Sequence, residues 1–555
     1  MVEDTKIGVF LCDCGETISK RIDLLGIKSN LEKISDVKYV ELTHSLCSQG
    51  EIEKLGSKIK EKGTNRVVIG ACSPQFCEAT FMRAAERGGL NPHLLSLANI
   101  REQCGWVHPD KSGATHKAAQ QIKMAIKKAR FLEPIEKEEL LINRDVLIIG
   151  AGLSGMEAAI ELSELDHKVT LLEREQAIGG RLRQLHSLYP MDLTPDALLM
   201  EKVEAIKKRS NVEVMTNAEL LKVEGHLGNF RAQIKTNHSQ ITRNFGALVV
   251  ATGCDTRFSQ EKYGLELSDN IVTQFQFERM LKSQQEWPKI PQKIGFMLDL
   301  SDEFSRISTI SAFKNGLTAK RRFGSEVYIF CKNLKLDSHG LERMYREVRN
   351  QGAIFFKFGD KKPIISSANG EINIQLEDLL LVKEPVTLSC DLLVVDEKIL
   401  PAQGFEKLQS ILNVGLAPND FYQQANVHLY PVSSNRKGIF FAGSCHADLD
   451  FMDTLADGRA AAQAAHQLLS LDKVWVEVGR VAVNADKCVL CLTCIRSCPH
   501  QAVEVDPVKK AARVIDLACQ GCGICTGECP AKAIQLKGFT DNEIAEQLAF
   551  LEEAT

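Results

Sequence analysis

No run in the 555-residue chain approaches the roughly 18 consecutive apolar residues that a membrane span needs. The opening "MVEDTKIGVF" is acidic and lacks the basic and apolar regions of a secretory signal. Together these point to a cytoplasmic protein. Neither sign of charge dominates: 68 Lys and Arg against 72 Asp and Glu leave a net −4, which sets up no field for nucleic acid. One basic run, "AKRRFG" at 319–324, has two readings, a dock for an acidic partner or a solvated loop or helix end. No Ser/His/Asp nucleophile arrangement and no pair of general-acid carboxylates stands out. No repeat or low-complexity segment appears apart from one duplicated cysteine motif.

Cysteine is what the chain has. There are 18, six in the first 104 residues, eight in the last seventy and four between. Without an export signal, thiols stay reduced, so a disulfide framework gives way to metal ligands or redox groups.

"CVLCLTCIRSCPH" and "CQGCGICTGECP" give Cys488, Cys491, Cys494 and Cys498 before Pro499, then Cys519, Cys522, Cys525 and Cys529 before Pro530. This is C-x2-C-x2-C-x3-C-P twice, in which the fourth cysteine serves the other cluster. One 4Fe-4S cluster is expected on Cys488, Cys491, Cys494 and Cys529, the other on Cys519, Cys522, Cys525 and Cys498. Zinc, the alternative, closes sites with paired CxxC rather than three cysteines plus CP.

"DVLIIGAGLSGMEAAIELSELDHKVTLLERE" sets Gly150, Ala151, Gly152, Ser154 and Gly155 in GxGxxG between a strand and a helix, with Glu173 and Arg174 ending the next strand. The glycines suit a tight turn, backbone approach to a pyrophosphate and close helix packing, and Glu173 suits ribose hydroxyls. Further on, "AIGGRL" supplies Gly179, Gly180 and Arg181, and "ALVVATGC" supplies Ala251, Thr252 and Gly253. These segments resemble the two-dinucleotide-binding-domain flavoproteins over about 146–258 and 401–470, which implies that they line FAD. In that family an acid after the late glycine, here Gly443, holds the ribityl chain; this chain has Ser444 and Cys445 instead. Asp450 to Thr454 opens a helix that either faces the flavin O2 with its N-terminus or is plainly capped by its acids. Thioredoxin-reductase-like members carry a second glycine fingerprint for NAD(P)H. Here "KIGFMLDLSDEF" puts Leu298, Asp299 and Leu300 at that turn, and Asp299 and Asp302 would repel a pyrophosphate.

At the front, strand-like runs end near Cys12 and Cys14, Cys47, Cys72 and Cys104. Parallel strand ends converge on one rim, where four thiols can hold a cluster or simply pack. "VFLCDCG", "GACSPQFCEATF", "NIREQCGWVHPD" and "NIVTQFQFERML" resemble the family of heterodisulfide reductase A subunits. The resemblance implies FAD, 4Fe-4S clusters, an N-terminal cluster on Cys14, Cys47, Cys72 and Cys104 with Cys12 an alternative to Cys14, and a packing role for Cys77. It also implies a homodimer within a larger complex, other subunits of that complex as partners, and a ferredoxin or hydrogenase-type electron donor. The extra ferredoxin insert of longer members is missing, and "YPMDLTPDALL" replaces a C-x-x-C stretch, which bears on any bifurcating step.

The expected fold is multidomain α/β. Residues 1–132 form an α/β cluster domain, 140–268 and 401–472 a Rossmann-like FAD core of thioredoxin-reductase type, 269–400 a NAD-domain-like insert without fingerprint, 473–540 an α+β two-cluster ferredoxin domain, and 541–555 a helix or tail. The expected activity is that of an oxidoreductase relaying or splitting electrons between flavin and clusters. Two rivals stand: a self-contained NAD(P)H-dependent flavin oxidoreductase, and a regulatory protein that senses redox state.

Overall fold

The computed structural model describes residues 5–190, 193–237, 239–283, 290–301, 305–368, 371–381 and 385–553. The chain divides into two compact units, Met1–Glu139 with Trp475–Thr555, and Leu140–Val474.

In the first unit, β1 (Ile7–Cys12), β2 (Val37–Thr43), β3 (Arg66–Ala71) and β4 (Leu95–Asn99) form a parallel sheet in the order β2-β1-β3-β4. β1 and β3 are Val- and Ile-rich runs buried on both faces, as central parallel strands must be. The order reverses between β1 and β3, so the crevice beyond their carboxyl ends is the topological switch point. Here lie the first cysteines.

The same unit contains the ferredoxin-like segment. Its strands pair Val481–Val483 with Ile534–Leu536 and Val503–Asp506 with Ala511–Val514, around two short helices, Thr493–Ser497 and Ile524–Gly527. The C-terminal helix Asp541–Glu553 packs on helix Lys111–Ala129. The tie is specific: Glu543 is buried and accepts the amides of Gly538 and Thr540, and Lys128 lies 4.5 Å over the Phe539 ring. A further link joins His93 Nε2 to Glu477 Oε1 at 2.9 Å.

The second unit holds two Rossmann-like sheets. The first runs Val212–Met215, Val169–Leu172, Val146–Ile149, Ala247–Val250, Ile439–Phe441 in parallel, then Tyr430–Ser434 and Gln424–Asn426 antiparallel. Its strands thus come from sequence on both sides of the middle segment. The second is parallel throughout: Ile271–Thr273, Leu392–Val395, Lys293–Met297, Glu326–Cys331, Ile354–Lys357. Phe277, Phe296 and Phe313 fill its core against helix Arg306–Phe323.

One reading changes, and one of two alternatives is decided. The charged run 133–145 is more than a connector, because Glu136–Leu141 is a strand that pairs with Lys473–Val478. The basic run 319–324 is a helix end: Lys320, Arg321 and Arg322 occupy the last turn, where cations suit the dipole, and Gly324 closes it at φ +71°.

Candidate functional site

The first Rossmann sheet reverses its order between Val146–Ile149 and Ala247–Val250, and a cleft of about 1140 Å³ opens beyond these strand ends. Gly150, at φ +103°, makes the turn; a Cβ there would sit 2.4 Å from the Ala251 carbonyl oxygen. Gly155 lets helix Leu153–Glu164 approach so closely that a Cβ would meet Gly150 O at 1.9 Å. Gly152 differs. It is the N-cap of that helix, it offers no side chain to the first amides, and a Cβ on it would meet nothing within 4 Å. The helix N-terminus is therefore bared toward the cleft, the arrangement that receives a phosphate.

Glu173 is fixed, not free to swing: its carboxylate accepts the amides of Ala151 and Glu175, each at 3.0 Å. Arg174, Gly180, Arg181, Thr252, Gly253, Ser444, Asp450 and Thr454 line the same cleft, as does Ser154, whose hydroxyl donates to Ala442 O. Arg181 lies 4.5 Å over Phe275 and reaches Cys254. Gly443 packs on Ser154, where a Cβ would come within 2.4 Å of the hydroxyl. Asp450 is a true N-cap, accepting the Asp453 amide at 2.9 Å, and it also takes a hydrogen bond from Ser338. A bared helix N-terminus, a buried carboxylate at the end of the second strand and a long cleft fit FAD.

The second Rossmann sheet is the informative contrast. Its switch point falls between Lys293–Met297 and Leu392–Val395. There Leu298, Asp299, Leu300 and Ser301 are all buried. The Asp299 carboxylate accepts the amides of Lys332 and Asn333 at 2.9 Å, holding φ at +65°. Asp396, from the adjoining strand, accepts the Ser301 amide at 2.9 Å and the Tyr263 hydroxyl at 2.5 Å. Burial pushes Asp396 up to about 6. Two carboxylates and their partners thus fill the crevice where a second pyrophosphate would lie. Asp302 lies outside the described residues.

In the ferredoxin-like segment, Cys488, Cys491 and Cys494 share a small cavity with Cys529, the last cysteine of the other motif. Cys498 in turn sits among the charges acting on Cys519 and Cys525. Backbone amides point at sulfur: Ala512 to Cys488, Ala502 to Cys498, Gly521 to Cys519 and Ala533 to Cys529, at 3.3–3.4 Å. The loops are also duplicates in conformation. Gly521 and Gly523 have positive φ, and Leu490 and Leu492, their counterparts, adopt the same region without glycine's freedom. Such backbone is retained where a site requires it. Donors aimed at clustered thiols fit thiolate-bound 4Fe-4S clusters.

The front rim departs from expectation. Cys72 and Cys77 bring their sulfurs to 3.7 Å, and Cys47 is within hydrogen-bonding range of Cys77. Burial and these two thiols push Cys77 up to about 12. Cys14, at φ 54°, accepts the Arg101 guanidinium at 2.9 Å. Cys12 is buried and accepts the Leu46 amide. Cys104 is fully buried in the turn after β4, its thiol aimed at Asn99 O and Gln121 Oε1. The expected quartet is therefore only partly gathered: Cys47 and Cys72 each approach Cys77, Cys104 faces helix Lys111–Ala129, and Cys77 joins the thiols instead of the core alone.

Comparison with known proteins matches residues 108–280 to the family described as pyridine nucleotide-disulphide oxidoreductase and residues 480–530 to the 4Fe-4S dicluster domain. Along the whole chain, the A 2 iron-sulfur subunit of the CoB--CoM heterodisulfide reductase of Methanopyrus kandleri is 27% identical, covering 92% of this chain and 93% of that protein. The chain is similar to the heterodisulfide reductase A subunits. A second relative, the A subunit of the H(2):CoB-CoM heterodisulfide,ferredoxin reductase of Methanothermobacter thermautotrophicus, is also 27% identical over 91% of each chain. Thioredoxin reductase of Lactococcus lactis is similar at TM-score 0.43 and 20% identity, over 59% of this chain and 99% of its own. The protein is an oxidoreductase with flavin-binding and 4Fe-4S domains and an electron-transfer role. Among the described residues no helix is long and apolar enough to cross a membrane.

Three features escaped the sequence. Lys314 and Glu278 form a buried pair at 2.9 Å in the cleft wall, and Glu278 also accepts the His186 and Ser187 amides. Burial favours the neutral acid, yet Lys314 and the two amides outweigh it and hold the carboxyl below its ordinary value. Asp457, one helix turn beyond Thr454, accepts the Gly443 amide and His446 Nε2, each at 2.7 Å, so it braces the loop from which the usual acid is missing. Cys77 is the third. Helical spacing marks none of these: the partners of Glu278 and Asp457 are more than ten residues away, and Cys77 lies five residues from Cys72.

Proposed function

We propose that the chain is the FAD- and cluster-carrying member of a heterodisulfide-reductase-like complex, and that it exchanges electrons with protein partners, not with pyridine nucleotide. The observation that carries this reading is the crevice of the second Rossmann sheet, where Asp299 and Asp396 stand in place of a glycine turn. Side chains there exclude close backbone approach, and the carboxylates repel a dianionic pyrophosphate. Bound FAD supplies the exchange between two-electron and one-electron traffic, and 4Fe-4S clusters carry single electrons.

The residues divide the work. Gly150, Gly152 and Gly155 seat the pyrophosphate, Glu173 orients the ribose, and Asp457 holds the Gly443 turn against the ribityl chain. Arg181, stacked on Phe275, closes one wall. Cys488, Cys491, Cys494 and Cys529 hold one cluster, and Cys519, Cys522, Cys525 and Cys498 the other, with a third at the front rim. The relative named for H(2) and ferredoxin favours a ferredoxin or hydrogenase-type donor and further reductase subunits as partners; a dimer within their complex and a place in the cytoplasm belong to the same proposal. Bifurcation at the flavin is the finer form of this proposal.

Anaerobic stopped-flow reduction tests it. NADH and NADPH leave the flavin of the purified chain oxidised on the turnover timescale, whereas reduced ferredoxin bleaches it. Rapid bleaching by either nucleotide alone would refute the proposal and favour a self-contained NAD(P)H oxidoreductase.

A further inference from the structure

We infer that Cys77 is a ligand of the front cluster, in the place that the spacing of strand ends gave to Cys104. The inference rests on the reading that the front rim carries a 4Fe-4S cluster. The rim lies at the topological switch point of the sheet β2-β1-β3-β4, between the ends of β1 and β3. Cys72 follows β3 directly, and helix Pro74–Arg87 begins two residues later with Ser73 as its N-cap. Cys77 therefore stands in the first turn of a 14-residue helix, beside Cys72 and at the end whose partial positive charge favours thiolate and an anionic cluster. Its sulfur is 3.7 Å from that of Cys72 and in range of Cys47, which is exposed at the end of the β2 loop. These sulfurs are nearer one another than the corners of a four-iron cluster, and a χ1 change at Cys77 spreads them.

Cys104 differs on each count. It is 0% exposed, it lies inside the π-helical turn Arg101–Gly105, and its thiol is spent on the Asn99 carbonyl and the Gln121 side chain. Turning the thiol to the rim would give up both contacts. Cys14 is better placed as the fourth ligand: its left-handed backbone projects from the end of β1, and Arg101 already offers a cation to its sulfur at 2.9 Å.

The test uses the full chain, purified anaerobically, with iron, acid-labile sulfide and FAD measured in the unaltered protein and in Cys77→Ala and Cys104→Ala. Unaltered protein is expected to hold about twelve iron atoms for three 4Fe-4S clusters. Cys77→Ala should fall to about eight with FAD retained, and Cys104→Ala should keep about twelve. Retained FAD reports that each variant has folded. Iodoacetamide labelling followed by mass spectrometry gives a readout independent of substitution: Cys77 should be protected in the loaded chain and alkylated after chelation of iron. About eight iron atoms in the unaltered chain would remove the front cluster itself, and the inference with it. About twelve that survive Cys77→Ala, or are lost in Cys104→Ala, would overturn the inference alone, as would alkylation of Cys77 in the loaded chain.

Discussion

Gly152 and Gly155 lie three residues apart, one the N-cap of helix Leu153–Glu164 and the other inside it, yet alanine at each should fail in opposite ways. At Gly155 the new methyl would sit 1.9 Å from Gly150 O and 3.2 Å from the Ala251 side chain. Backbone must move, and overpacking of this kind costs about 1–3 kcal/mol or more. At Gly152 the methyl would meet no protein atom within 4 Å, and φ is −74°, which alanine adopts readily. The loss of a glycine N-cap costs up to about 1 kcal/mol and the stiffer unfolded chain returns about half of that, so the apoprotein should be almost as stable as before. FAD binding should not survive as well. The methyl occupies the approach of the pyrophosphate to the first amides of helix Leu153–Glu164, and losing one or two charge-assisted hydrogen bonds costs about 2–4 kcal/mol, a ~30- to ~1000-fold weaker Kd. The assay is paired: thermal unfolding of the deflavinated chain, and titration with FAD followed by quenching of flavin fluorescence. Gly155→Ala should unfold early, and Gly152→Ala should unfold normally and bind weakly. A Gly152→Ala chain that binds FAD as tightly as the unaltered one would refute the placement of the pyrophosphate at this helix.

Crossed ligation predicts that Cys498→Ala disturbs the cluster held by Cys519, Cys522 and Cys525, while Cys529→Ala disturbs the one held by Cys488, Cys491 and Cys494; electron paramagnetic resonance of the reduced variants should show a different cluster lost in each. Asp457→Ala should loosen the Gly443 turn and free His446, so FAD should dissociate faster, whereas Asp457→Asn, which still accepts the Gly443 amide, should recover most of the loss. Asp396 gives a pH dependence. Its folded value of about 6 exceeds the ordinary 3.8, so the folded state binds more protons, and its contribution is full below pH 4 and lost as pH rises through 6. At about 1.4 kcal/mol per unit the loss is up to about 3 kcal/mol, and Asp396→Asn should flatten the urea midpoint of flavin release between pH 4 and 7. A variant with the same slope as the unaltered chain would show that another group carries it.

Local chemistry was legible in the chain itself. GxGxxG, the acid ending the next strand and the doubled CP motif each impose their geometry within about forty residues, so none needs a distant partner to be recognised. The strands of the front sheet were legible for the same reason, since buried parallel strands read as continuous apolar runs. The duplication also led to the expectation that Cys498 and Cys529 cross between motifs, and the structure sets Cys529 beside Cys488, Cys491 and Cys494.

Tertiary structure decided the rest. Which thiols meet at the front rim depends on strand order and on the direction each side chain leaves its strand end, and neither is encoded in the interval between cysteines. Four strand ends predicted Cys104 at the rim; in the structure its sulfur, within a π-helical turn, faces Asn99 O and Gln121, and the first turn of helix Pro74–Arg87 sets Cys77 beside Cys72. The partnership of Asp299 with Lys332 and Asn333, and of Asp396 with Ser301 and Tyr263, likewise joins residues up to 133 positions apart. The sequence could say only that glycines were missing from the second fingerprint. That two carboxylates fill the crevice is settled by the parallel pairing of Lys293–Met297 with Leu392–Val395, which brings the ends of strands about a hundred residues apart in sequence to one point.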